Sequence, residues 1–217
     1  MKKVLFFSFL ALFFTSCFEI VEEVNMKADG SGQMTVTVNM SESKEDLKGY
    51  MDSGEVNGMN LPDQKELNTY LQSIERTIES VSGMSNAAAK ADFNEFIFTF
   101  TADFTSVQSM NLAVNKLTKE LSRGMISIDN RYEYANGKFV RSFGSMLSAE
   151  DYEKLPVMQR FVLESARMVS IYTFDKSVKK MSNQNAELSA GKKVVKFRST
   201  LGEIAKGTKS VQNTISF

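Results

Sequence analysis

Hydrophobic positions in this chain fall into three patterns: one unbroken run, alternations of period two, and stripes of period 3.6. Each predicts a different element. The run comes first. Val4 to Phe14 is broken only by Ser8, and Thr15, Ser16 and Cys17 follow before Glu19, Glu22 and Glu23 end the apolar character. Period two then takes over. Phe18, Ile20, Val24 and Met26 share one side of a segment that Glu22 interrupts, "DGSG" turns the chain, and Met34, Val36, Val38 and Met40 alternate with polar residues. That predicts a hairpin with one apolar face. Helical stripes follow at Ser43 to Asp52 and, after a loop ending at Pro62, at Asp63 to Val81, where Leu67, Tyr70, Leu71, Ile74, Ile78 and Val81 recur at steps of three and four. Gly83 to Ala91 reads as a breaker.

The clearest strand is Asp92 to Phe104, with Phe96, Phe98, Phe100, Ala102 and Phe104 on one face. The helix predicted over Ser106 to Leu121 carries Val107, Met110, Val114, Leu117 and Leu121, a stripe long enough to cover that row. A second hairpin turns at Asn136-Gly137, between the alternation Ile126, Ile128, Tyr132, Tyr134 and the strand Lys138 to Phe143; Asp129, Arg131 and Glu133 form a solvated charge ladder on its other face. Helix is expected on both sides of Pro156, with Ser148 as N-cap, and strands at Arg167 to Phe174, Asn185 to Leu188, Val194 to Leu201 and Val211 to Phe217. The fold class is therefore α+β: a curved antiparallel β-sheet with helices packed on one face. One domain spans 17–217, with a helical insertion at about 148–165.

Composition narrows the chemistry. With no His, no Trp and one Cys among 217 residues, the chain lacks the commonest general base and metal ligand and cannot form an internal disulfide. No metal site and no cofactor are expected. "DGSGQ" spaces Asp29, Ser31 and Gln33 like a calcium loop, but Met34 and Met40 stand where such a loop needs glycine and glutamate. Asp92 with Glu95 and Asp129 with Glu133 are the carboxylate pairs a hydrolase would use; no nucleophile motif or Gly-rich phosphate loop accompanies them, and the expectation is no enzyme. Formal charge is zero, so no nucleic-acid partner is implied. The charge is uneven, however. Ser41 to Ser80 holds nine acids and four bases, whereas Lys176 onward holds nine bases and two acids, a basic third that could meet anionic headgroups or simply face solvent.

The opening run decides location. Lys2 and Lys3 precede eleven residues of apolar character, and a bilayer span takes about 20, so the segment reads as a signal that is cut away. The alternatives are a plain secretory signal with a chance cysteine and a buried N-terminal helix. Phe14-Thr15-Ser16-Cys17 resembles a bacterial lipobox, with Phe14 where Leu is usual. That resemblance implies a signal peptide over 1–16, cleavage between Ser16 and Cys17, and acylation of Cys17, palmitate being the label that would report it. The chain would then sit on a membrane of the cell envelope, on its periplasmic face or at the cell surface.

Beyond the cysteine, "DGSG", "MTVTVNM", the helical middle and "YTFDKSVKKMSNQNAELSAGKKVVKF" together resemble a Bacteroidota-type lipoprotein family related to the LppM-like domain. The resemblance implies an α+β fold, an envelope location and, for some relatives, binding of envelope lipids. It implies no active site and names no ligand residues. Two readings follow. In the first, an apolar or lipid ligand lies between sheet and helices, with Phe96, Phe98, Phe100, Phe104, Met110 and Val114 as candidate lining; the same residues at the same spacing also build a closed core. In the second, the tethered body meets an envelope protein and holds no small molecule.

Overall fold

The computed structural model describes residues 18–56, 59–121, 130–143 and 149–217; the leader with Ser16 and Cys17, the ladder residue Asp129 and the N-cap Ser148 lie outside them. At the first turn the Asp29 carboxylate accepts hydrogen bonds from the Ser31 backbone N–H (2.9 Å) and hydroxyl (2.7 Å), and Gly30 takes φ +91°. The chain reverses there between β1 (Glu19–Met26) and β2 (Gly32–Asn39), as the turn chemistry predicts. After α1 (Lys44–Ser53) and a small hairpin of β3 (Glu55–Val56) and β4 (Met59–Asn60), α2 (Gln64–Glu79) opens on a capping box. Asp63 accepts from the Glu66 N–H at 2.7 Å, and Glu66 accepts from the Asp63 N–H at 3.0 Å.

A hairpin of β5 (Met84–Asp92) and β6 (Ile97–Phe104) leads to α3 (Val107–Leu121). The hairpin of β7 (Asn130–Ala135) and β8 (Lys138–Phe143) turns at Asn136 (φ +53°) and Gly137 (φ +70°), the left-handed pair a two-residue loop requires. Helices α4 (Ala149–Glu153) and α5 (Val157–Ser165) flank Pro156. Then come β9 (Arg167–Phe174), β10 (Lys180–Met181), β11 (Ala186–Leu188), β12 (Val194–Thr200), α6 (Leu201–Ala205) and β13 (Asn213–Ser216).

These elements form an α+β fold. A seven-stranded open sheet runs β11-β12-β9-β1-β2-β6-β5, and a four-stranded sheet runs β10-β13-β8-β7. All pairings in the large sheet are antiparallel except β1 with β9, which the sequence pattern does not reveal. Register places Phe174-Met26-Gly32-Phe104, Tyr172-Val24-Met34-Ala102, Ser170-Glu22-Val36-Phe100 and Met168-Ile20-Val38-Phe98 in successive rows across the inner face. The small sheet covers the β9–β1 half of this face through Phe139, whose ring lies 5.3 Å from Tyr172 and 5.4 Å from Phe174. Helices cover the β6–β5 half. Ile74 and Ile78 of α2 meet Ala102, with Phe100 and Leu117 packed against them.

Four local expectations are corrected. Gly83 to Ala91 is mostly strand: Ala87, Ala88 and Ala89 give no apolar alternation, yet their small side chains let α2 lie against the strand, and Glu75 accepts the edge N–H of Ala89 at 2.7 Å. Consequently α2 does most of the covering assigned to α3. Phe96 leaves the phenylalanine row, because it sits in the turn before β6 with φ +54°. Leu201 begins a helix rather than ending a strand, since Thr200 and Glu203 form a second capping box.

Glu203 gives a pH prediction. Its carboxylate accepts from the Thr200 N–H, the Ser199 hydroxyl and the Lys209 ammonium, which holds its pKa down to about 2. A carboxylate with a depressed folded pKa stabilises the fold above its unfolded value and loses that contribution as pH falls, here from about 4.5 to about 2. Glu203→Gln is expected to cost about 1 kcal/mol at neutral pH and to flatten the stability loss across that window, read from thermal midpoints at stepped pH.

Candidate functional site

The interruption that Glu22 makes in the apolar side of β1 has its counterpart across the core. Glu22 points inward from the large sheet at 4% exposure, and Arg141 of β8 points inward from the small sheet at 2%. Arg141 donates to the Glu22 carboxylate through Nη2 (3.1 Å) and Nε (3.4 Å), and through Nη1 to the Ser142 carbonyl (2.8 Å). The Tyr172 hydroxyl donates to Glu22 Oε1 at 2.8 Å. The guanidinium carbon lies 4.4 Å from the Tyr132 ring centroid and 5.6 Å from that of Phe143. Burial works against the Arg141 charge, but the Glu22 carboxylate outweighs it and raises the pKa; burial first, and the Glu22 charge second, lift both the Tyr172 and Tyr132 phenols.

Two hydroxyls of this centre make no well-formed hydrogen bond. Tyr132 Oη and Ser170 Oγ are both buried and meet no partner in good hydrogen-bond geometry, although the Glu22 carboxylate acts on the Tyr132 phenol, Ser170 acts on the Tyr172 phenol, and Ser170 stands next to Glu22 in the same row. A buried hydroxyl without a partner costs about 1–3 kcal/mol, so such a pair calls for something that accepts from it. Tyr132 is held firmly: its N–H donates to Asn111 Oδ1 (2.9 Å) and its carbonyl accepts from Asn111 Nδ2 (2.7 Å), pinning β7 to α3.

Beside the polar centre the inner face turns apolar and stays partly open. Val36 and Phe100 continue the row of Ser170 and Glu22, and Ile20, Val38 and Phe98 form the next row; all five are partly exposed. Of the candidate lining residues, Phe98 therefore lies on this apolar surface, meeting Phe93 edge-on at 6.0 Å, and Phe100 lies at its border, packed against Ile74 and Ile78 of α2. Val114 is partly buried on α3. Phe104 and Met110 belong to the main core, and Phe96 is buried in its turn. Sequence reasoning missed Glu22, Arg141, Tyr132, Ser170 and Tyr172 as a group. Its available signal was a charge at an inward position of each of two alternating strands.

The remaining candidates are used structurally. Asp92 accepts from the backbone N–H groups of Asn94 and Glu95, and Glu95 pairs with Lys44 at 2.9 Å. Glu133 lies exposed beside Arg131. Among the described residues no group of three or more Cys, Asp or Glu side chains could hold a metal ion, and no helix is long and apolar enough to cross a membrane. The basic third divides in space. Backbone bonds from Phe174 to Lys193 and from Val178 to Lys192 gather Lys176, Lys179, Lys192 and Lys193 at the Met26 end of the sheet, while Lys206 and Lys209 pair with Glu164 and Glu203.

No family model matches the chain, and no curated protein matches it. Among solved structures, the NMR structure of the Mycobacterium tuberculosis LppM folded domain aligns over 95% of this chain and 94% of its own length, with 11% identity and a TM-score of 0.43. A likeness at that level assigns no function.

Proposed function

We propose that this chain is a non-enzymatic lipoprotein of the bacterial cell envelope, tethered through acyl chains on Cys17, whose body takes up an amphipathic ligand of the lipid class between its sheet and its helices. The observation that carries the ligand reading is the placement of two buried hydroxyls without a well-formed hydrogen bond, Tyr132 and Ser170, beside the partly open apolar rows of Val36, Phe100, Val38 and Phe98. An ester or hydroxyl oxygen accepts from those groups while the attached chain lies along the apolar rows. The ion pair beside them carries no net charge, which suits an uncharged polar group better than an ionised one.

The test uses the body from Phe18 onward, secreted behind a cleavable leader, and a dansyl-labelled lysolipid as probe. Saturable emission is expected, weakened strongly by Val38→Asp. Tyr132→Phe separates a ligand role from a packing role. Removing a buried hydroxyl that makes no well-formed hydrogen bond is expected to raise stability by about 1 kcal/mol while weakening probe binding about tenfold. A Tyr132→Phe protein that is less stable and binds equally well contradicts the reading. Absence of probe binding together with a stably co-purified envelope protein supports the tethered interaction module instead. Metabolic palmitate labelling of the wild-type chain, lost in Cys17→Ala, tests the anchor separately.

A further inference from the structure

We infer that the exposed apolar side of α5, formed by Val157 and Phe161, is a second membrane contact, seated in the interfacial layer of the same bilayer that carries the anchor. This rests on acylation of Cys17. Val157 is 73% exposed and Phe161 49% exposed; four residues apart, they share one side of the helix. The neighbouring Val162 is turned inward, where it packs with Ala166 and Phe18. Phe18 therefore ties α5 to the start of the folded body, and it is the residue immediately after Cys17.

There is no slack between that residue and the fold. Phe18 is 9% exposed, its carbonyl accepts from the Arg167 N–H at 2.9 Å, and β1 begins at Glu19. One residue spans at most about 3.6 Å, so acyl chains on Cys17 hold this end of the molecule against the lipid surface and bring α5 with it. The helix is prepared for a less polar surrounding. Arg160 pairs with Glu153 at 2.9 Å and Glu164 with Lys206 at 2.6 Å, so the charges on and beside α5 are already compensated. An isolated Val and Phe bind a bilayer weakly, but the anchor makes the contact intramolecular and raises its effective concentration.

Electrostatics sets the character of the contact. Glu19 and Glu42 stand beside Phe18 with Arg167, whereas Lys176, Lys179, Lys192 and Lys193 lie at the other end of β1, about 23 Å away at some 3.3 Å per residue. Anionic headgroups near the anchor meet acids before they meet those lysines. The contact is therefore apolar, and insensitive to salt.

The test uses the full acylated protein in vesicles of phosphatidylethanolamine and phosphatidylglycerol. Acylation consumes the native thiol, so Phe161→Cys and, as a distal control, Lys193→Cys can each be labelled with a single environment-sensitive NBD group. At position 161 a blue-shifted emission is expected, quenched by brominated acyl chains and unchanged by salt; at 193 the label should report water. Val157→Asp with Phe161→Asp should leave the melting midpoint in detergent unchanged and speed transfer of the protein between vesicles. Water-like emission at 161 in protein whose mass includes the acyl chains overturns the inference and leaves the anchor standing. A mass without acyl chains removes both.

Discussion

Replacing Glu22 by alanine is expected to lower the unfolding free energy by about 3–5 kcal/mol, and replacing the buried pair together, Glu22→Leu with Arg141→Met, to return most or all of that loss. The asymmetry follows from the geometry. With Glu22 gone, the Arg141 guanidinium remains at 2% exposure, having lost its two contacts to the carboxylate, and the Tyr172 hydroxyl loses its carboxylate acceptor. The Ser142 carbonyl and the Tyr132 and Phe143 rings stay against the cation, but they do not replace the negative charge of the Glu22 carboxylate. With both charges gone, similar volume fills the same space and neither desolvation penalty remains. Urea denaturation of the wild type, the single variant and the double variant measures this directly. A double variant as unstable as the single one would show that the pair is a net stabiliser. If it recovers stability but binds the lysolipid probe poorly, the pair is kept for the site rather than for the fold, as expected when Tyr132 is positioned by its ring contact with Arg141.

Periodicity makes most of this architecture legible in the sequence alone. The β1–β2, β7–β8 and β11–β12 hairpins, the stripes of α2 and α3, and the helices around Pro156 all follow from local alternation and turn chemistry acting over a few residues. What escaped is non-local. β5 is a strand because α2 and β6 hold it there, against the weak strand preference of three consecutive alanines. The parallel pairing of β1 with β9 joins segments almost 150 residues apart, and no local pattern carries that information. The polar centre was half visible. Glu22 could be seen breaking an apolar side, and Arg141 breaks the matching side between Phe139 and Phe143, but only the packing of the two sheets shows that the breaks face each other. Ser170 and Tyr132 have no signature at all, since a serine and a tyrosine on alternating strands are ordinary until their hydroxyls are seen buried without a well-formed hydrogen bond.

Phe139→Ala is expected to cost about 3–5 kcal/mol, several times the cost of Phe98→Ala, and the contrast tests how the inner face divides between core and binding surface. Phe139 is fully buried, and its ring joins the two sheets by touching Tyr132, Tyr172 and Phe174. Deleting it leaves a cavity between two layers whose strands cannot both move inward, because Arg141, two residues along β8, is fixed to Glu22. Phe98 stands in the next row beyond the polar centre, partly exposed, with Phe93 against its edge. Its removal opens space already continuous with its partly exposed surroundings, so the loss is mainly that of transfer from water, about 1 kcal/mol for a side chain only partly removed from it. Binding should rank the two positions in the opposite order: Phe98→Ala weakens uptake of the lysolipid probe at nearly full stability, whereas Phe139→Ala, at temperatures where it remains folded, retains it. Equal stability losses at the two positions would mean that the row from Ile20 to Phe98 is closed core, and the apolar half of the proposed site would go with it.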